Sequence, residues 1–158
     1  ALIEGINNVD TEYCCIINAD GSMDPKYLVE MLDACKNKDI IFGSRYKKPG
    51  GGSNDDNIIT YIGNYFFTFL GNFLFKLNIS DILYTYILAK TSSLQMLGLK
   101  NNDFRICVEL PIKAKFNQLK YDCLASFERE RIGGKKKVNA LKDGLFILFE
   151  IIRFFFKK

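Results

Sequence analysis

The chain has 158 residues, 48% hydrophobic and 25% charged, a composition that fits one globular domain with a real core and excludes a disordered tail. Its 22 Lys and Arg against 18 Asp and Glu leave a net charge of +4, too small to name a partner by itself. The absence of His excludes Ser-His and Cys-His nucleophiles and His-ligated metals, so carboxylates, Lys and Arg must carry the chemistry, and any cation must be held by oxygen, which suits Mg²⁺ or Mn²⁺. Cys14, Cys15, Cys35, Cys107 and Cys123 lie mostly in apolar runs without the paired short spacings of a metal site or disulfide framework, and read as reduced, buried thiols.

In chain order, Leu2, Ile3, Ile6 and Val9 recur at helical spacing, and Tyr13 to Ile17 is an apolar run of strand length. That run ends near Asp20, which Gly21 and Ser22 follow. Asp-Gly between apolar runs can close a hairpin, but a helix signal comes next: Asp24 as N-cap, Pro25 in the first turn, then an apolar face of Tyr27, Leu28, Met31, Leu32 and Cys35. Residues 39–44, "DIIFGS", read as a buried strand ending just before Arg45. A strand, helix, strand order predicts an α/β fold with a mostly parallel sheet, in which ligands sit beyond the C-terminal strand ends where Asp20 and Arg45 fall.

The Gly-rich loop "RYKKPGGGSNDDN", 45–57, is long enough to be a lid. Residues 58–79 approach membrane-span length, yet Thr60, Asn64, Thr68, Asn72 and Lys76 recur every fourth residue and draw a polar strip along an otherwise apolar helix. Such a strip predicts a helix packed on a domain or lying in a membrane interface, with a true span as the alternative. Residues 82–90 read as a strand, 92–97 as a short helix, 107–117 as a helix that Pro111 interrupts unless it starts late, and 119–127 as a strand. From 140 to 158, Lys142, Asp143, Glu150, Arg153 and Lys157 form a narrow polar edge, predicting an interfacial helix, though an ordinary helix closing a core fits the same pattern. Arg129, Arg131, Lys135, Lys136, Lys137 and Lys142 gather in one short span, which points to an anionic ligand or a solvated face. Nucleic acid is not expected, because the aromatic residues are not interleaved with the basic ones.

The succession "ALIEGINNVDTEYCCIINADGSMDPKYLVEMLDA", "DIIFGSRY", "NISDILYTYILAK", "FRICVELPIKA" and "FERERIGGKKKVNALKDG" resembles the family 2 glycosyltransferases of GT-A fold, and within them the polyprenyl-phosphate sugar transferases of the dolichol-phosphate mannosyltransferase type. The resemblance implies an inverting transfer of a hexose from a nucleotide-sugar donor to a polyprenyl phosphate. It makes Asp20 the second acidic residue of an Asp-x-Asp element that holds Mg²⁺ or Mn²⁺ at the donor, with Asn18 in the place of the first. Gly43, Ser44 and Arg45 match a Gly-Ser-Arg element that sets a guanidinium near phosphate. Asp81 matches a catalytic or acceptor-positioning residue, followed by Thr85-Tyr86 where the family has a Gly-aromatic pair. Arg131, Gly134 and Lys137 match an Arg-x-x-Gly-x-Ser-Lys frame with Lys136 in place of Ser; Arg129, Lys135 and Lys137 join Arg131, Ser44 and Arg45 as expected phosphate and acceptor ligands.

The expected organisation is residues 1–139 as the later part of a GT-A domain and 140–158 as an amphipathic membrane-interface helix. In the family, strands that grip base and ribose precede the helix that Leu2 to Val9 predict, so the resemblance implies either a fragment of a longer enzyme with a further N-terminal segment, or a degenerate or split protein that needs a partner chain to bind the donor. The expected location is the cytoplasmic face of a membrane, held peripherally. The alternative is a catalytically inactive or split protein of the same fold that binds anionic lipid phosphate without transfer.

Overall fold

The computed structural model describes residues 1–134 and 139–157. Among them are six strands, β1 (Tyr13–Ile16), β2 (Ile40–Ser44), β3 (Gly52–Ser53), β4 (Ile87–Lys90), β5 (Tyr121–Ala125) and β6 (Phe127–Glu128), and six helices, α1 (Leu2–Asn7), α2 (Tyr27–Cys35), α3 (Ile58–Phe75), α4 (Thr91–Met96), α5 (Ile106–Phe116) and α6 (Ala140–Phe156), in the order α1-β1-α2-β2-β3-α3-β4-α4-α5-β5-β6-α6. The main sheet has the order β1-β4-β2-β5; β3 and β6 pair separately beside its C-terminal end.

Side chains alternate across this sheet with the two-residue period of a pleated strand. Ile40 and Phe42 of β2, Ile87 and Ala89 of β4 and Cys123 of β5 enter a large core with α3, α5 and α6, whereas Ile41, Leu88 and Leu124 face Met31 and Cys35 of α2. Each sheet face is therefore covered, which is why β2 is buried at all five positions.

The sheet is mixed rather than mostly parallel. β2 and β5 run parallel, but β4 lies between β1 and β2 and is antiparallel to both. The cause is a reversal of the chain after α3. Lys76 ends that helix in the left-handed region, at φ 54°, Asn78 repeats the conformation at 57°, and the chain doubles back along the helix it has just left. Asn72 brackets Ile79, accepting from its N–H at 3.0 Å and donating to its carbonyl at 2.8 Å; Thr68 Oγ1 accepts from Ile82 N–H and Asn64 Oδ1 from Leu83 N–H, both at 3.1 Å. This return carries the chain to the opposite end of the sheet before β4 begins. It also explains why the expected strand 82–90 shrinks to Ile87–Lys90: side chains of α3 already satisfy backbone groups upstream that a neighbouring strand would otherwise pair.

Two further expectations shift. α2 begins at Tyr27, after a turn in which Asp24 Oδ1 accepts from Lys26 N–H at 3.0 Å. α5 runs straight through Pro111, with eight of its eleven residues buried; packing on all sides offsets the interior Pro, which costs an exposed helix about 3 kcal/mol. Asn101 then fastens α6 to α5, donating from Nδ2 at 2.8 Å to both Glu109 and Glu150. Burial acts to raise the Glu109 pKa, but Lys113 and the N–H groups of Asn101 and Lys100 outweigh it and hold this carboxyl below its ordinary range.

The polar strip on α3 points into the protein, and the apolar side points out. Asn64 is wholly buried, while Ile58, Ile62, Tyr65 and Phe73 stand exposed, Tyr65 by 70% and Phe73 by 71%. α6 packs beside α3 and leaves Leu141, Leu145, Phe149 and Phe156 exposed in the same way. α3 is long and apolar enough to cross a membrane by length and composition.

Candidate functional site

β1, β2 and β5 share a direction, so their C-terminal ends open on one side, where the 17–26 turn, the 45–57 loop and the chain after β5 meet. The turn needs Gly21 at φ 80°, and a Cβ there would come within 2.7 Å of Ile132 Cδ1. Main-chain bonds then lace the segment after β6 onto this turn: Arg129 N–H donates to Ser22 O and Ile132 N–H to Asp20 O, each at 2.8 Å. Asp20 and Arg131 are thus brought together by backbone as well as by charge.

A cavity of about 820 Å³ lies over these strand ends. One wall is ionic, with Asp20, Asp55, Asp56, Glu128, Arg45 and Arg131; the other is apolar and comes from α3, α6 and the segment before β4, including Ile59, Phe67, Leu83, Leu141 and Ile147. Gly63 of α3 and Gly144 of α6 also line it, keeping the gap between these helices open.

Arg45 sits at the centre of the ionic wall and is 8% exposed. Its Nε and Nη2 grip Asp81 at 2.8 and 3.0 Å, and Nη1 meets Glu128 at 3.2 Å and Asp56 at 3.3 Å. Tyr84 lies 4.7 Å beneath the guanidinium. Burial pulls the Arg45 pKa down, but bonding to Asp81 and the charges of Asp81 and Glu128 more than reverse this, so it stays charged. Asp81 receives four donors, Arg45 N, Nε and Nη2 and Asn64 Nδ2, the last at 2.6 Å. Those bonds occupy both carboxylate oxygens. Ser44 acts locally: its Oγ accepts from the N–H groups of Tyr46 and Lys47 at 3.2 and 3.1 Å and bonds Ser80 Oγ at 2.7 Å, which starts the 45–57 loop.

A second cluster surrounds Arg131. Its Nε and Nη2 form a fork on Asp55 at 3.0 and 2.7 Å, and Nη1 stands 3.7 Å from Asp20 Oδ2. The bond to Asp55 raises the Arg131 pKa; burial opposes it, and the charges of Asp55, Asp20 and Glu128 add to the rise. Arg129 is half-exposed and 3.6 Å from Asp24. Lys135 and Lys137, expected as phosphate ligands, lie with Lys136 outside the described residues.

The structure therefore brings Asp20, Arg45 and Arg131 around one cavity, places Asn18 on its rim and sets Asp81 directly behind Arg45. It adds Asp55, Asp56, Glu128 and Tyr84, which the sequence pattern alone does not single out, and brings Asn64 of the polar strip onto Asp81. Their signals are present all the same: the paired acids in "NDDN" close the polar loop, and "FERE" alternates charges along one short strand end.

The Asp20 cation site fits poorly. No three of Asp, Glu and Cys gather as a metal-holding set among the described residues. Asp20 Oδ1 already accepts from Ser22 N–H at 3.0 Å, its other oxygen faces a guanidinium, and Asn18 contributes an amide rather than a second carboxylate.

A partly parallel sheet with helices on both faces, and charged side chains converging on a cavity beyond its strand ends, defines an α/β domain with a candidate ligand site at those ends. Residues 1–98 match the family described as Glycosyl transferase family 2, and the chain belongs to that family. It is a glycosyltransferase domain in a partial GT-A-like fold, working between a nucleotide-sugar donor and an acceptor, in a family that often uses a divalent metal.

Proposed function

We propose that the chain transfers a hexose, with inversion, from a nucleotide sugar to the phosphate of a polyprenyl lipid, while attached peripherally to the cytoplasmic face of a membrane. One observation carries this reading. The cavity joins an ionic wall at the strand ends to an apolar wall built by two helices whose outer faces are themselves apolar and exposed. An acceptor with a charged head and an isoprenoid tail meets matching surfaces in both parts, whereas a free sugar acceptor leaves the apolar wall unused.

The phosphate monoester is anionic near neutral pH, so it attacks the anomeric carbon without first losing a proton to a strong base. This suits the geometry of Asp81, whose oxygens are engaged by Arg45 and Asn64. In this reading Asp81 holds Arg45 in the cavity wall, and Arg131 and Arg129 meet phosphate.

Labelled nucleotide sugars offered with polyprenyl phosphate in vesicles test the proposal. Label should pass to the lipid, with inverted anomeric configuration by NMR, and the protein should leave the vesicles on carbonate extraction. Transfer to soluble sugars but never to lipid phosphate would overturn the acceptor. Asn18 in place of a second carboxylate, beside an Asp20 already engaged by Ser22 N–H and Arg131, supports a second reading, a lipid-phosphate binder without transfer, for which the same assay returns binding and no product.

A further inference from the structure

The two guanidiniums lining the cavity are not equivalent. Arg45 is enclosed and faces three carboxylates, Asp81, Glu128 and Asp56. Arg131 is more open: Nε and Nη2 hold Asp55, while Nη1 is 3.7 Å from Asp20, beyond hydrogen-bond distance. Of five N–H donors on a guanidinium, two bond Asp55, and the Nη1 edge remains directed along the Asp20 side. Its position is fixed at both ends, by the fork to Asp55 and by the bonds of Arg129 N–H to Ser22 O and Ile132 N–H to Asp20 O.

A dication at Asp20 would have to settle beside this fixed positive charge, with one carboxylate already accepting from Ser22 and with Asn18 adding no charge. Asp55 is held in the two-point fork, and Glu128, which also acts on Arg131, and Asp56 are drawn to Arg45. The place next to Asp20 is thus already served by a cation of the protein's own. Guanidinium is permanently charged and matches phosphate oxygens in two-point geometry.

Resting on the glycosyltransferase reading, we propose that Arg131, oriented by Asp55 and Asp20, neutralises the donor diphosphate and stabilises it as a leaving group without a divalent cation. Arg129 lies two residues away beside the same turn and adds a second, more exposed charge. The C–O bond from the anomeric carbon to the diphosphate breaks with its electron pair staying on the diphosphate. The acceptor phosphate oxygen forms the new bond to carbon. No proton need be supplied, and Arg131 donates hydrogen bonds to the oxygens on which charge gathers.

Binding of inorganic pyrophosphate to the full chain tests this apart from turnover. Calorimetry in EDTA should give saturable binding that millimolar Mg²⁺ leaves within about threefold. Arg131→Ala should weaken it by about 10- to 100-fold, the loss of charge-assisted hydrogen bonds, and Arg131→Lys should fall between because it keeps charge but not the fork. Circular dichroism of each variant separates lost binding from lost folding. A spectroscopic titration with Mn²⁺ alone should show no saturable site in the native chain, whereas Asn18→Asp combined with Arg131→Ala should create one. Pyrophosphate binding that needs Mg²⁺, or a native Mn²⁺ site abolished by Asp20→Asn, overturns the assignment and leaves the transferase reading standing. No pyrophosphate binding in either condition also overturns it, and lipid-phosphate transfer then decides separately whether the reading of function falls too.

Discussion

Asp81→Asn tests the buried ionic centre most directly. The amide preserves shape and can keep one oxygen toward Arg45 N and Nε, which bond Asp81 Oδ2 at 3.0 and 2.8 Å. At the other position an NH₂ would face two donors, Arg45 Nη2 at 3.0 Å and Asn64 Nδ2 at 2.6 Å. Removing one partner of a buried pair costs about 3–5 kcal/mol. Arg45 retains Glu128 and Asp56, so the lower end applies, about 3 kcal/mol. Loss of repulsion among the three carboxylates acts the other way. It is the weaker effect, because Asp81 touches Arg45 directly while Glu128 and Asp56 are drawn to the same guanidinium. For a chain of 158 residues this is a fall in Tm of about 6–12 °C. Urea unfolding followed by tyrosine fluorescence serves as the assay, since there are eight Tyr and no Trp. A variant as stable as the native chain, or more stable, would refute the claim that Asp81 anchors Arg45.

Asn64→Leu keeps size but strands Leu83 N–H and removes a donor from Asp81, so it should destabilise by about 3–5 kcal/mol by the same denaturation, whereas Tyr65→Ser one residue away on the exposed face should fall within about 1 kcal/mol. Phe69→Asp with Phe73→Asp should reduce flotation with anionic vesicles at least about tenfold while leaving the far-ultraviolet dichroism intact; unchanged flotation would argue against the exposed face of α3 as the membrane contact. The Glu109 pKa is depressed, so its stabilising contribution is present above the unfolded value of about 4.3 and disappears as pH falls through the lower folded value. Glu109→Gln should therefore flatten the loss of stability below about pH 4.3, measured as urea midpoint against pH. Gly51→Ala should disorder the 45–57 loop, since the new Cβ would lie 2.5 Å from Lys47 O and 2.6 Å from Arg45 O, and protease cleavage there should quicken.

Periodicity disclosed most of the elements because burial here obeys simple rules. Residues 40–43 are apolar and buried, with Ser44 buried at the strand end, and the 140–158 pattern places the ends of α6 to within two residues. The antiparallel β4 was not legible, because its direction depends on a reversal after Lys76 and on side chains of α3 that reach residues 79–83. Neither is a pattern within β4 itself. The spacing of Thr60, Asn64, Thr68 and Asn72 announced a polar strip but could not say which way it turned, since a strip of amides and hydroxyls suits solvent or buried backbone equally well. At the site, strand-end placement exposed Asp20 and Arg45, but the fork from Arg131 to Asp55 joins residues 76 positions apart and needed the fold. Pro111 signals a break by helix propensity, and the burial of α5, which overrides that propensity, is invisible in the local sequence.

The orientation of α3 makes its attachment sensitive to the surrounding medium in an unusual direction. An ordinary surface helix is pressed onto its core by water's exclusion of apolar groups, a force that vanishes among lipid tails. Here, beside Phe67 and Phe75 in the core, three side chains, Asn64, Thr68 and Asn72, bond the returning backbone, so part of the attachment is polar. Water competes for such bonds and weakens them; hydrocarbon offers no competing partner. Partition into a lipid surface would then tighten the grip of α3 on residues 79–83, and through Asn64 on Asp81 and Arg45, so that the charged centre is most rigid where a lipid-borne acceptor would arrive.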